Sequence, residues 1–326
     1  MFGSLSTGTA AIDRQNIAWN MIVSLIYAGS SRILTALVNH LIGPEQGGIF
    51  GFAFSTFGQQ MFLVAYFGMR PLQSTDVNQA YTFGEYRRVR LYTCMAAVLF
   101  GISYIFVNTY FVPNGYSRQK TLVVFLMVVY KVLDGFADVY ESEFQRAGRL
   151  YLTGKAMAYR TILSVILFLG TLFLTRELVF SCVIAVLAQA AGILLFDWNL
   201  MKLVPGVDIS RAAGKSLALV RESFLLFLSV FLDGLIFAMA KYAVDAQMTA
   251  TDTAIFVAVF MPTSVINLAA NFVIRPFLTK MSYQWEGKTF DEFTRDLKKL
   301  MAIILILTII ALAGAWAIGV PVLGAI

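Results

Sequence analysis

Lys131, Asp134, Asp138 and Glu141 stand 3, 4 and 3 residues apart in a stretch that is otherwise apolar. This spacing places all four on one face of an α-helix. Ionisable groups at such positions are costly and by default mark a pathway or a pair. In one reading Lys131 meets an anionic substrate group, and Asp134 or Asp138 takes a coupling proton or a sodium ion. In the other the charges serve one another, Lys131 with Asp134 and Asp138 with Arg32. Both readings turn this face inward.

Polar faces recur along the chain. Ser24, Ser31, Thr35 and Asn39 follow at steps of 7, 4 and 4, with Arg32 flanking them. Small polar residues at these steps also suit close helix packing. Gln59, Gln60 and Asp197 fall in later apolar runs. Ser229 and Asp233 share a face, so Asp233 joins Asp134 and Asp138 as a candidate for ion coupling or buried pairing. Asn267, Asn271 and Arg275 follow Pro262 at four-residue steps. Arg160 and Arg275 read as boundary residues whose head groups snorkel, and His40 as an interface marker.

Catalytic and metal chemistry has no counterpart in the sequence. There is no Walker motif, no nucleophile elbow and no metal-spaced cluster. Cys94 and Cys182 sit in separate apolar runs and read as small buried hydrophobes. The reading is a protein that is not an enzyme, has no cofactor and binds no nucleic acid.

The elements that position these residues follow from composition. The chain of 326 residues is 59% hydrophobic and 13% charged, with a mean hydropathy of +0.74. Soluble domains carry about 25% charged residues, so these charges could not cover a globular surface. Long apolar runs predict nine membrane helices, at 17–42, 47–69, 91–112, 121–141, 156–175, 178–201, 223–246, 253–275 and 299–319. The first is read as a retained helix rather than a signal peptide. Of the 25 Lys and Arg, 18 fall at the N-terminus and after even-numbered helices, and 4 after odd-numbered ones. The positive-inside rule then sets the N-terminus in the cytoplasm, and the net charge of +6 becomes a topology signal with an affinity for membrane lipids.

An internal repeat divides the chain. Ile49-Phe50 recurs as Ile255-Phe256, Arg70-Pro71 as Arg275-Pro276, and Thr82-Phe83-Gly84-Glu85-Tyr86 as Thr289-Phe290-Asp291-Glu292-Phe293. The offsets are about 206 residues, and the last pair has capping-box spacing. A unit of six helices keeps one orientation in both copies, so two parallel six-helix lobes are expected around a central cavity. Residues 1–221 form the first lobe. Residues 222–326 form a partial second lobe, short by about three helices, so a fragment or truncated product of a twelve-helix transporter is expected.

Four stretches carry a family resemblance: Asn16-Ile17-Ala18-Trp19-Asn20, the run from Gly68 to Val77, the run from Asp134 to Leu150, and Gly319-Val320-Pro321-Val322-Leu323. With these the chain resembles the polysaccharide transporter family, the O-antigen type flippases of the multidrug/oligosaccharidyl-lipid/polysaccharide exporter superfamily. The resemblance implies flipping of an undecaprenyl-pyrophosphate-linked oligosaccharide across a bacterial inner membrane by alternating access. It implies that Arg32 and Lys131 meet the pyrophosphate, and that Asn39, Gln59, Gln60, Asn267 and Asn271 meet sugar hydroxyls. Proton or sodium coupling and contact with other polysaccharide-assembly proteins are part of that expectation. A drug/cation antiporter, a lipid II flippase and a non-transporting assembly partner remain alternatives.

Overall fold

The computed structural model describes residues 12–76, 79–112, 115–202, 204, 207, 214–257, 259–260, 284 and 289–325. Among them there is no strand, and the chain is an all-α protein. The helices are α1 (Ile12–Ile42), α2 (Pro44–Tyr66), α3 (Met69–Thr75), α4 (Phe83–Tyr110), α5 (Arg118–Arg146), α6 (Leu150–Thr175), α7 (Leu178–Met201), α8 (Ser216–Gln247) and α9 (Phe290–Ala325). They form two compact units, Met1–Ala254 and Ile255–Ile326.

Six of these helices are long and apolar enough to cross a membrane: α2, α4, α6, α7, α8 and the Phe290–Gly314 part of α9. α1 and α5 also have the length, 31 and 29 residues. However, α5 is interrupted by its own ionisable face, and the apolar stretch recognised in α1 is Ile33–Ile42. The expected span at 253–275 lies mostly outside the described residues.

Local chemistry sets the helix ends. At α4 Thr82 and Glu85 form the capping box: Thr82 Oγ1 accepts the Glu85 amide at 3.4 Å, and Glu85 accepts the Thr82 amide at 2.9 Å. Thr289, its counterpart before α9, accepts the Phe293 amide on its carbonyl and donates its hydroxyl to the Gln284 carbonyl. The middle match of the repeat, Arg275-Pro276, lies outside the described residues. α2 stops at Phe67 and Gly68, both left-handed (φ 51° and 62°), and the chain turns into α3. A Cβ on Gly68 would lie 2.7 Å from the Phe227 amide nitrogen of α8, so glycine is needed there for both conformation and approach.

Within the first unit the helices run alternately. At one end Gln46 and Gln119 pair their amides, Arg176 donates to the Leu41 carbonyl at 2.6 Å, and Lys120 meets Asp245 at 2.7 Å. At the other, Asn16 accepts the Tyr151 amide at 2.8 Å, Glu85 accepts the Lys215 amide at 2.5 Å, and Tyr81 donates to Glu222 at 2.8 Å. The connections following α2, α5 and α7 therefore gather at this second end.

α5 is the central helix, packed by α2, α3, α4, α6 and α7. Two apolar cores share it. One holds Phe50, Phe57, Met127, Val128, Phe168 and Cys182. The other holds Phe83, Tyr86, Tyr140, Phe144, Tyr151 and Met201. The ionisable face of α5 runs from the first core into the second. Outward, α4, α6 and α8 expose large apolar side chains such as Leu99, Ile166 and Ile236, as a bilayer-facing surface requires.

Candidate functional site

The four ionisable residues of α5 form a ladder about 15 Å long, at 1.5 Å per residue. All are buried, none more than 5% exposed. Side chains from six other helices reach it.

At the α3 end, Asp138 accepts from Arg70 at 2.7 Å and from Arg90 at 2.8 Å. Arg90, fully buried on α4, also donates to the carbonyls of Ala65 and Tyr66, where α2 ends. Glu141 accepts from Arg70 at 3.3 Å and from Arg160 at 2.8 Å. Arg160, on α6, reaches Asp134 at 3.0 Å and Asp197 of α7 at 2.6 Å as well. One guanidinium thus joins three carboxylates from two helices, a geometry its planar fork permits and an ammonium does not. Gln189 donates to Asp134 at 3.2 Å.

Lys131 is held differently. Its ammonium donates to the Tyr27 hydroxyl and to Gln59 Oε1, each at 3.2 Å, and lies 4.3 Å from the centre of the Phe54 ring. Tyr27 passes its own proton toward Asp134 at 2.9 Å. A phenol, not a direct ion pair, therefore links Lys131 to Asp134. Among the described residues no carboxylate lies within 4.0 Å of Lys131. Arg70, Arg90 and Arg160 face Asp134, Asp138, Glu141 and Asp197, so Lys131 is the fourth cation that balances the group.

Backbone features make room for this packing. α2 contains a π-helical stretch, Phe52–Phe57, and α7 another, Ile193–Asp197. Such stretches often accompany functional sites because they redirect side chains out of the regular helical register. They carry Phe54 and Asp197 into the group. At Gly192, just before the second stretch, a Cβ would lie 2.6 Å from Arg160 Cγ.

The structure brings Lys131, Gln59, Asp134 and Asp138 together. Gln60 is directed to α8, donating to the Phe231 carbonyl at 3.0 Å. Asn39 is at the far end of α1, against Gly47. Asp233 is exposed on α8, away from the ladder. The backbone of Arg32 belongs to α1, but its side chain, like Asn267 and Asn271, lies outside the described residues. Arg160 is not a snorkelling boundary residue: it is 1% exposed and its two terminal nitrogens bind three carboxylates. Asp138 is answered by Arg70 and Arg90, both of which the charge pattern had placed in a connection.

Tyr27, Arg70, Arg90 and Gln189 are members that the sequence reading missed. One signal pointed to the arginines: a face with one cation and three carboxylates must draw further cations from other helices. Tyr27 falls three residues after Ser24 and four before Ser31, on the polar side of α1. No His, Cys, Asp and Glu grouping suited to a metal ion occurs among the described residues. Comparison with protein-family models, curated proteins and solved structures returns no match to this chain.

Proposed function

We propose that the chain acts in flipping an anionic lipid-linked oligosaccharide, of the undecaprenyl-pyrophosphate type, across a bacterial inner membrane by alternating access. The observation that carries this reading is the contrast within the ladder. Its three carboxylates and the neighbouring Asp197 are each engaged by arginine, Asp134 by Tyr27 as well, whereas Lys131 has only neutral partners. A site for a cationic drug needs a carboxylate to spare. A site for a phosphate group needs a cation whose present partners can be exchanged, and the phenol and amide around Lys131 are of that kind. The resemblance of the 68–77 and 134–150 stretches to the polysaccharide transporters adds support.

Lys131 is 2% exposed, so substrate reaches it only after helices part. α1 and α2, which bring Tyr27 and Gln59, are the elements whose movement would uncover it. The test is export in a flippase-deficient strain and leaflet transfer in liposomes. Lys131→Gln is expected to lower transfer about tenfold or more, the worth of one charge-assisted hydrogen bond, with membrane level and melting temperature retained. Lys131→Arg is expected to keep a measurable part. Wild-type transfer by Lys131→Gln would remove the reading, as would substrate-driven cation flux that depends on Asp134.

A further inference from the structure

A groove of about 470 Å³ opens on the surface of the first unit, between α4 and α7, with α5 as its floor. We propose that it is a binding site for an anionic diacyl phospholipid. Three features fit that occupant.

The first is charge. Arg87 and Arg88 stand at the mouth, one turn into α4 from its cap at Thr82. Arg88 is exposed and Arg87 half-buried. Among the described residues neither has a carboxylate within 4.0 Å, in contrast to the arginines of the ladder. Glu85, the nearest acid in sequence, is occupied by the capping box and the Lys215 amide. Arg87 is held by the Tyr140 hydroxyl, a neutral partner that leaves its charge unanswered, and two such guanidiniums lining one mouth suit a phosphodiester.

The second is depth. Trp198 forms the opposite lip, with the Arg87 guanidinium 6.0 Å and the Lys202 ammonium 5.7 Å from its ring centre. A tryptophan flanked by cations at the end of an apolar helix marks the head-group level. Basic pockets between membrane helices at that level hold acidic lipid heads.

The third is shape. Beyond the arginines the groove is apolar. Leu91 and Leu194 form its walls and are 49% and 63% exposed, while Phe136 and Tyr140 of α5 lie between them. Leu194 belongs to the π-helical stretch of α7. On α4 the exposed residues Leu91, Met95, Leu99 and Ile102 continue the wall for about 16 Å, a length suited to an acyl chain. A free phosphate would use the mouth and leave the walls bare.

The test is retention of lipid by the purified full chain, read by native mass spectrometry. Phosphatidylglycerol and phosphatidylcholine with the same acyl chains compete, with inorganic phosphate in a parallel arm. Each arginine near a bilayer surface favours an acidic head about fivefold. The wild type is therefore expected to prefer phosphatidylglycerol, and the exposed-site variant Arg88→Gln to lose about fivefold of that preference. The double variant Arg87→Gln/Arg88→Gln is expected to lose the preference altogether, and Arg118→Gln, at the opposite end of the unit, to change nothing. Millimolar phosphate is expected to leave the bound lipid in place. An unchanged preference in Arg88→Gln would overturn the site, and displacement by phosphate would overturn its assignment to a lipid. Neither outcome bears on Lys131, because the measurement involves no transport.

Discussion

Arg160 shows how a single side chain can carry a helix bundle. Its two terminal nitrogens bind Asp134, Glu141 and Asp197, so its removal leaves three buried carboxylates short of a partner. Breaking a buried pair costs about 3–5 kcal/mol, because the remaining charge is uncompensated. Arg160→Leu is expected to lower stability by at least that much, measured as loss of folded protein in detergent on heating. Arg160→Lys keeps the charge but cannot span both helices, so it is expected to recover only part. Pairing Arg160→Leu with Asp197→Leu is expected to cost less than the sum of the two single changes. Additive losses would show that the contact between α6 and α7 does not depend on this pair. The α5 half of the ladder was legible in the sequence because a 3, 4, 3 spacing is local. Arg160 was not, since its role depends on how α6 packs against α5 and α7, which no local pattern encodes.

Among the described residues helices stand where the apolar runs predict them, six of them long and apolar enough to cross a membrane, and four residues suffice to predict the capping box at Thr82. The interior of each helix was less legible. Periodicity treats a helix as regular, so it could not foresee the π-helical stretches that carry Phe54 and Asp197 into the ladder. It also merged α3 into a connection, because the turn at Phe67-Gly68 that brings Arg70 to Asp138 depends on two left-handed residues and on contact with α8. Gly68→Ala tests that element. The new Cβ adds left-handed strain and meets the Phe227 amide, so a loss of about 1–3 kcal/mol is expected in thermal unfolding. The same substitution is expected to loosen the approach of α8 to the end of α2. Gly192→Ala, whose Cβ would meet Arg160 Cγ, is expected to destabilise through the ladder instead, and more so in the wild type than in an Arg160→Ala background, which has no Cγ to meet.

At the scale of the whole first unit, α8 is fastened at both ends and along its middle. Asp245 is bound at one end by Lys120 and by the Tyr116 hydroxyl, both at 2.7 Å. Glu222 is bound by Tyr81 at the other, and Gln60 holds the middle through the Phe231 carbonyl. Alternating access, if it operates as proposed, requires α8 to part from α2 and α4 at one end while the other stays closed, and the two latches are separable points of control. Asp245→Asn removes the charge that Lys120 answers. It is expected to raise thiol labelling of a Gln119→Cys reporter at that end while leaving a Tyr81-side reporter unchanged. Glu222→Gln is expected to do the reverse. Equal effects at both ends would mean that α8 detaches as a whole, and the two-latch account would fall. The latches are also expected to be insensitive to pH near neutrality through their phenols. Burial, and then the Asp245 charge, raise the Tyr116 phenol well above its ordinary range. Burial and the Glu222 hydrogen bond push Tyr81 up to about 12. A raised phenol keeps its proton, and so its bond, at all pH values below the ordinary range near 10, and the contact weakens only as pH climbs through the raised value. Labelling at either end, taken relative to a fully exposed cysteine that corrects for the thiol's own titration, is therefore expected to stay flat between about pH 6 and 9. A step inside that window would place the control on a different group.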